Sequence, residues 1–147
     1  MEKHLVSIIT PSYNSEKFIS ETIKSVQNQT YQNWEMIIVD DCSTDKTISI
    51  INEFLYDKRI KLYQLKNNSG TGIARNKALS LSSGRFIAFL DSDDIWKSEK
   101  LEKQVDYLIS ENKPFTFSFY DCIDESGKFL HKTIEAPLNL KYNQLFW

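Results

Sequence analysis

The chain of 147 residues is 41% hydrophobic and 26% charged, which supplies one core and excludes disorder as the main state. A domain of this order buries roughly 68% of its unfolded surface, so folding needs no disulfide or metal staple. With 18 Lys and Arg against 20 Asp and Glu and no basic block, the charge argues against a nucleic acid or an anionic membrane as principal partner. No apolar run approaches the ~18 residues of a membrane span and the start lacks a signal-peptide core, so a cytoplasmic setting is expected.

Residues 5–10 form a short β-branched run closed by Pro11 and read as a buried first strand. Asn14 or Ser15 then caps a helix whose apolar positions Phe18, Ile19, Thr22, Ile23 and Val26 recur at helical spacing. Residues 34–39 are a second strand ending at Asp40-Asp41, and Ser43 caps a helix carrying Ile48, Ile51, Phe54 and Leu55. Residues 60–65 alternate like a half-exposed third strand, and a helix over 72–81 stops at Gly84. Residues 85–90 predict a fourth strand running into Asp91-Ser92-Asp93-Asp94, after which Ser98 opens a helix with Leu101, Val105 and Leu108 on one face. A fifth strand is predicted over 115–120, followed by a turn at Asp124-Glu125-Ser126-Gly127 and an extended run over 128–133. Successive β-α units call for an α/β fold of three layers, a mostly parallel sheet with helices on both faces. The chain ends on the apolar Leu145-Phe146-Trp147.

Cys42, Cys122, His4 and His131 are too scattered for a zinc site, so any metal must be held by oxygen ligands, as magnesium, manganese and calcium are. Four glycines cannot build a P-loop. Gly70-Thr71-Gly72 begins a dinucleotide fingerprint, but Arg75 stands at its third glycine position and no strand precedes it. Ligands of open α/β sheets bind beyond the carboxyl ends of the strands, and three of those ends carry unusual polar residues: Pro11-Ser12-Tyr13-Asn14, Asp40-Asp41 and Asp91-Ser92-Asp93-Asp94. Up to five carboxylates would converge there, and their repulsion is offset most simply by a divalent cation with a phosphate-bearing ligand.

Simpler readings compete. Asp41 or Asp94 alone could cap a helix, Tyr13 could be a loop aromatic, Arg75 a surface charge, and Trp34 and Trp96 packing residues. Capping, however, needs one carboxylate and not the run that includes Asp91, Asp93 and Asp94. An EF-hand opening at Asp91 would place Trp96 where glycine is required. A dehalogenase-type phosphatase would place its aspartate pair at the start of the domain, and a receiver domain leaves Pro11-Ser12-Tyr13-Asn14 unexplained.

Val6-Ser7-Ile8-Ile9-Thr10-Pro11-Ser12-Tyr13-Asn14, Ile37-Ile38-Val39-Asp40-Asp41-Cys42-Ser43-Thr44-Asp45, Asn68-Ser69-Gly70 with Ala74-Arg75-Asn76, and Phe89-Leu90-Asp91-Ser92-Asp93-Asp94, in that order, resemble family 2 glycosyltransferases. The resemblance covers about residues 4–110. It implies the GT-A fold, a metal-dependent inverting transfer from a nucleotide-diphosphosugar, by family frequency a UDP-sugar, to a glycan or lipid-linked acceptor, and a role in cell-surface polysaccharide synthesis. Carried over by position, Pro11 and Tyr13 line the nucleobase pocket, Asp40 accepts a hydrogen bond from the base, and Asp41 supports the same loop. Arg75 faces the nucleotide, Asp91 and Ser92 lie at the donor, and Asp93 with Asp91 holds Mn²⁺ or Mg²⁺.

The resemblance also places a general base well downstream of the DxD. Asp121, Asp124, Glu125 and Glu135 do not match its motif, so no base is assigned and one is expected beyond Trp147. The expected organisation is a single GT-A domain over 1–147, with a donor half near 4–110 and an incomplete acceptor half over 111–147. The alternative is a nucleotide- and metal-binding remnant without transferase activity. Peripheral membrane association of the full-length protein, at the inner face, fits the lipid-linked acceptor.

Overall fold

A computed structural model describes residues 4–135, so the apolar end Leu145-Phe146-Trp147 lies outside the described residues. The chain divides into two compact units, Met1–Val105 and Asp106–Trp147. In the first, β1 (Val6–Ser12), β2 (Trp34–Asp40), β3 (Ile60–Gln64) and β4 (Phe86–Phe89) form a four-stranded sheet in the order β3-β2-β1-β4. Every pairing in it is parallel. The connecting helices are α1 (Ile19–Gln27), α2 (Thr47–Asn52) and α3 (Thr71–Ser80), and α4 (Lys100–Ser110) follows β4.

Every residue of β1 and β2 is buried, as a parallel sheet covered on both faces requires. On one face Val6, Ile8, Met36 and Ile38 pack against Ile19, Ile23 and Val26 of α1 and against Leu101 and Val105 of α4. On the other, Ile9, Ile37 and Val39 meet Ala74 and Ala78 of α3, whose small side chains let that helix lie close to the sheet. The predicted three-layer α/β/α arrangement is therefore present. Trp34 acts as the packing residue expected of it, buried with the Arg59 guanidinium 3.8 Å above its ring.

The sheet is longer at β1 than the sequence predicts. Pro11 does not close that strand but sits inside it, opposite Val39. The pairing with β4 stops at Ile9 and Phe89, short of Pro11, so a residue with no amide to donate falls where β4 makes no demand on it. Aligned ends follow from the register: Ser12 pairs with Asp40, and Asp40 with Gln64.

The predicted helix caps differ from those observed. Regular helix begins at Ile19 and at Thr47, without a side-chain cap at either start. Asn14, Ser15 and Ser43 are instead engaged between loops, and Phe54 and Leu55 lie in the turn after α2. Gly84 ends no helix; a Cβ there would lie 2.6 Å from the Ser7 nitrogen and 2.8 Å from the Leu5 carbonyl oxygen, so it is a close-approach glycine.

In the second unit the predicted strand over 115–120 is displaced: β5 is Tyr120–Ile123, pairing antiparallel with β6 (Phe129–Ile134). The turn sets this register. The Asp124 amide donates to the Lys128 carbonyl and the Asp124 carboxylate accepts the Ser126 and Lys128 amides, which sets Ile123 opposite Phe129; a bulge between Asp121 and Ile123 then shifts the ladder and brings Tyr120 opposite Ile134. The alternating Phe115, Phe117 and Phe119 fall beyond it, exposed.

At the amino end of the sheet, Glu35 is a buried carboxylate that the strand pattern did not single out. It accepts hydrogen bonds from Ser7 Oγ at 2.6 Å, the Ser83 amide and hydroxyl at 2.8 Å each, and Lys61 Nζ at 2.7 Å. Burial works to raise its pKa, but the bonds from Lys61, Ser7 and Ser83 prevail and lower it from 4.5 to about 2. A depressed carboxylate pKa contributes stability that is complete above the unfolded value and is lost as pH falls through 4.5 towards 2. The shift corresponds to about 3 kcal/mol. Urea unfolding at about pH 6 and about pH 2.5 is expected to show a smaller loss of stability on acidification for Glu35→Gln than for the parent chain; equal losses would rule out this role.

Candidate functional site

The carboxyl ends of β1, β2 and β4 open onto a cleft of about 280 Å³ lined by Pro11, Ser12, Tyr13, Asp41, Thr71, Ala74, Asp91, Ser92 and Asp93. It lies where open parallel sheets bind their ligands. The loops that build it are fastened to each other. The Asn14 amide donates to Ser43 Oγ at 2.9 Å, the Thr44 amide to Asn14 Oδ1 at 2.9 Å, and the Ser15 amide to Thr47 Oγ1 at 2.8 Å. The Lys46 amide donates to Glu16 Oε2 at 2.8 Å, and the Glu16 amide to Asp45 Oδ2 at 3.1 Å. Asn14 and Cys42 have φ of 48° and 66°, a left-handed backbone that costs a non-glycine residue on the order of 1 kcal/mol and that the cross-links over-determine.

Asp40 and Asp41 serve different ends. Asp40 is buried, is not among the lining residues, and has both carboxylate oxygens engaged by the Ser43 amide and hydroxyl. Asp41, 3% exposed, accepts the Ser69 amide on one oxygen and the Gly70 amide on the other, each at 2.7 Å. Its own amide donates to the Ser12 carbonyl at 2.8 Å. One residue thereby ties the end of β1, the end of β2 and the entry to α3. That entry turns at Gly70, with φ of 91°, and brings Thr71 and Ala74 to the cleft wall with the positive end of the helix behind them.

The acidic segment after β4 is strapped across α1. The Thr22 hydroxyl donates to the Ser92 carbonyl at 3.0 Å, the Trp96 amide to Ser25 Oγ at 3.2 Å, and buried Gln29 bridges the Lys97 carbonyl and the Leu101 amide. Asp91, Ser92 and Asp93 are held at the cleft wall as a result. Partial burial, then the charges of Asp93 and Asp91, raise the pKa of Asp94 above its ordinary 3.8. Arg75 does not line the cleft; its guanidinium donates to Asp91 Oδ1 at 2.8 Å. Tyr13 stands 49% exposed at the mouth.

Of the residues singled out in the sequence, the fold thus brings Pro11, Tyr13, Asp41, Asp91, Ser92 and Asp93 to one cleft, leaves Arg75 one contact behind it through Asp91, and leaves the Asp40 side chain on Ser43, off the lining. It adds Ser12, Thr71 and Ala74. Thr71 was legible only as part of a dinucleotide fingerprint that failed, because its place at a helix start beside Asp41 depends on tertiary hydrogen bonds. Among the described residues no three His, Cys, Asp or Glu side chains converge to hold a metal by themselves. One or two carboxylates completed by phosphate oxygens is the usual arrangement for Mg²⁺, and the concentrated negative charge at Asp91, Asp93 and Asp94 fits a divalent cation.

The profile of "Glycosyl transferase family 2" matches residues 7–147. The chain belongs to this family. TuaG of Bacillus subtilis, named for teichuronic acid biosynthesis, is 49% identical over 96% of the chain and 56% of its own length. WfgD of Escherichia coli, named as a UDP-Glc:alpha-D-GlcNAc-diphosphoundecaprenol beta-1,3-glucosyltransferase, is 47% identical over 99% of the chain and 56% of its own length. The chain therefore spans about half the length of these relatives. Among solved structures, S. aureus TarS in complex with UDP-GlcNAc superposes with a TM-score of 0.70 at 38% identity, covering 73% of this chain and 32% of that one. The mannosyltransferase PcManGT of Pyrobaculum calidifontis, in complex with GDP-Man and Mn²⁺, gives 0.70 at 26% identity over 84% and 36%. This family 2 domain thus has the GT-A fold. Among its described residues no helix is long and apolar enough to cross a membrane.

Replacing Asp41 with Ala would leave the Ser69 and Gly70 amides without their acceptor. Denaturant unfolding is expected to show a loss of about 3 kcal/mol, with faster amide exchange at Ser69 and Gly70. Unchanged stability together with unchanged exchange would refute the anchoring role.

Proposed function

We propose that the chain is the donor-binding part of an inverting glycosyltransferase that takes a sugar from a nucleotide-diphosphosugar, a UDP-sugar, to a glycan or lipid-linked acceptor in cell-surface polysaccharide synthesis. The observation that carries this reading is the meeting, in one cleft, of an exposed aromatic ring at Tyr13 and two carboxylates at Asp91 and Asp93, with the positive end of α3 at the same wall. An aromatic face suits a base, and a helix start with a nearby cation site suits a diphosphate. The TarS complex with UDP-GlcNAc and the PcManGT complex with GDP-Man and Mn²⁺ support the same class of ligand.

In this reading Tyr13 packs against the base beside Pro11. Asp40 and Asp41 act on the pocket from behind: Asp40 fixes Ser43, and Asp41 fixes the 69–70 turn, so the wall is formed before ligand arrives. Asp93, with Asp91, would hold Mn²⁺ or Mg²⁺, and Ser92 keeps them in place through its carbonyl, which accepts the Thr22 hydroxyl. Bound there, the cation would supply positive charge to the leaving diphosphate oxygens. The acceptor hydroxyl attacks the anomeric carbon from the side opposite the leaving group, which inverts the configuration, and its proton passes to a base outside the assigned residues. A cytoplasmic protein acting at the inner face of the membrane meets both a nucleotide-sugar and a lipid-linked acceptor.

Calorimetric titration with UDP is expected to show binding strengthened by Mn²⁺, and Asp93→Ala to weaken the metal-supported binding by about tenfold or more. Tyr13→Ala is expected to weaken UDP while hardly changing pyrophosphate. Metal-independent binding of equal strength in the parent chain and in Asp93→Ala would overturn the metal assignment.

A further inference from the structure

The pair between Arg75 and Asp91 has no role in the reading above, and its geometry is informative. Asp91 faces the cleft, yet one of its carboxylate oxygens is held at 2.8 Å by a guanidinium that comes from behind the wall, on the second turn of α3. The contact joins a single nitrogen to a single oxygen, and the side chains are 35% and 53% exposed. A pair of this kind is weak, so a stronger partner on either side can part it. Both stronger partners are what the cleft is proposed to bind: a divalent cation for Asp91, and a diphosphate, which Arg grips better than it grips one carboxylate oxygen.

We infer that Arg75 is a stand-in cation for Asp91, occupying the carboxylate until metal and nucleotide arrive together. The inference rests on the nucleotide-diphosphosugar reading of the same cleft. Before ligand binds, Arg75 lowers the negative potential at Asp91 and competes with a lone divalent ion. A nucleoside diphosphate draws the guanidinium towards its own oxygens, and Asp91 is freed for the metal. The metal and the nucleotide therefore bind with positive coupling, and by linkage each strengthens the other by the same factor. The cleft thereby discriminates against metal that arrives without a nucleotide.

The test measures Mn²⁺ binding, by the loss of the free-ion electron spin resonance signal, with and without saturating UDP. In the parent chain Mn²⁺ alone is expected to bind weakly and UDP to tighten it. In Arg75→Gln, Mn²⁺ alone is expected to bind about fivefold more tightly, the factor that matches a weak exposed pair, and the tightening by UDP to shrink by at least that factor. Arg75→Lys, which keeps the charge, is expected to restore weak binding of Mn²⁺ alone, which separates the charge from any disturbance of α3. If the parent chain shows coupling and Arg75→Gln leaves both the Mn²⁺ affinity and the coupling unchanged, the stand-in role is overturned while the proposed function stands. If the parent chain binds neither UDP nor Mn²⁺, the proposed function itself fails and takes this inference with it.

Discussion

A carboxylate that is 3% exposed is tolerable only when its oxygens are fully engaged, and at Asp41 the partners are backbone amides from a segment 28 and 29 residues away. That exchange fixes the wall on which the ends of β1 and β2 meet the start of α3. The turn at Ser69 and Gly70 belongs to a connection with no apolar anchor of its own in the run 66–70, all of it exposed. Without Asp41 the start of α3 would be set by packing further along the helix, at Ala74, Ala78 and Leu79 against the sheet. With it, the helix start, the end of β1 and the end of β2 share one point of reference, and the cleft wall becomes a consequence of the sheet register.

The two ends of this sheet use the same residue types to opposite effect. At the amino end, Glu35 is saturated by Ser7, Lys61 and Ser83 and its pKa falls to about 2. At the carboxyl end, partial burial and then the charges of Asp93 and Asp91 push the pKa of Asp94 up instead. A carboxylate whose partners all lie within the protein stabilises the fold; a group of carboxylates left short of positive charge favours an incoming cation. The contrast separates an acid that stabilises the fold from an acidic segment beside the cleft.

Much of this was legible from the residues in order. The strands announced themselves as short apolar runs because a parallel sheet covered on both faces asks for nothing else, and the acids after β2 and β4 marked the cleft because they follow such runs directly. What escaped was decided by contacts distant in sequence. Asn14, Ser15 and Ser43 look like helix caps, but their polar atoms are taken by the neighbouring loop. Pro11 looks like a strand terminator, and only the short reach of β4 lets β1 continue through it. Phe115, Phe117 and Phe119 alternate as a strand would, but the hairpin is built from the Asp124 turn outward, through a bulge after Asp121, and its pairing ends at Tyr120. Glu35 gives no local sign of its role, since its partners come from β1, β3 and the loop before β4.

The place of β4 beside β1 has a kinetic consequence. Val6 pairs with Trp34 on one side and with Phe86 on the other, so the central strand acquires its first neighbour early in the chain and its second only after β3 and α3 have been passed. Closing so long a loop is entropically slow and rewards the chain late. The segment that carries Asp91 and Asp93 begins just after β4, so its place at the cleft depends on that long-range pairing. The cleft is therefore uneven in how far along the chain its walls are gathered from: the Tyr13 loop directly continues β1, whereas Asp91 and Asp93 reach it through a strand paired across roughly 80 residues.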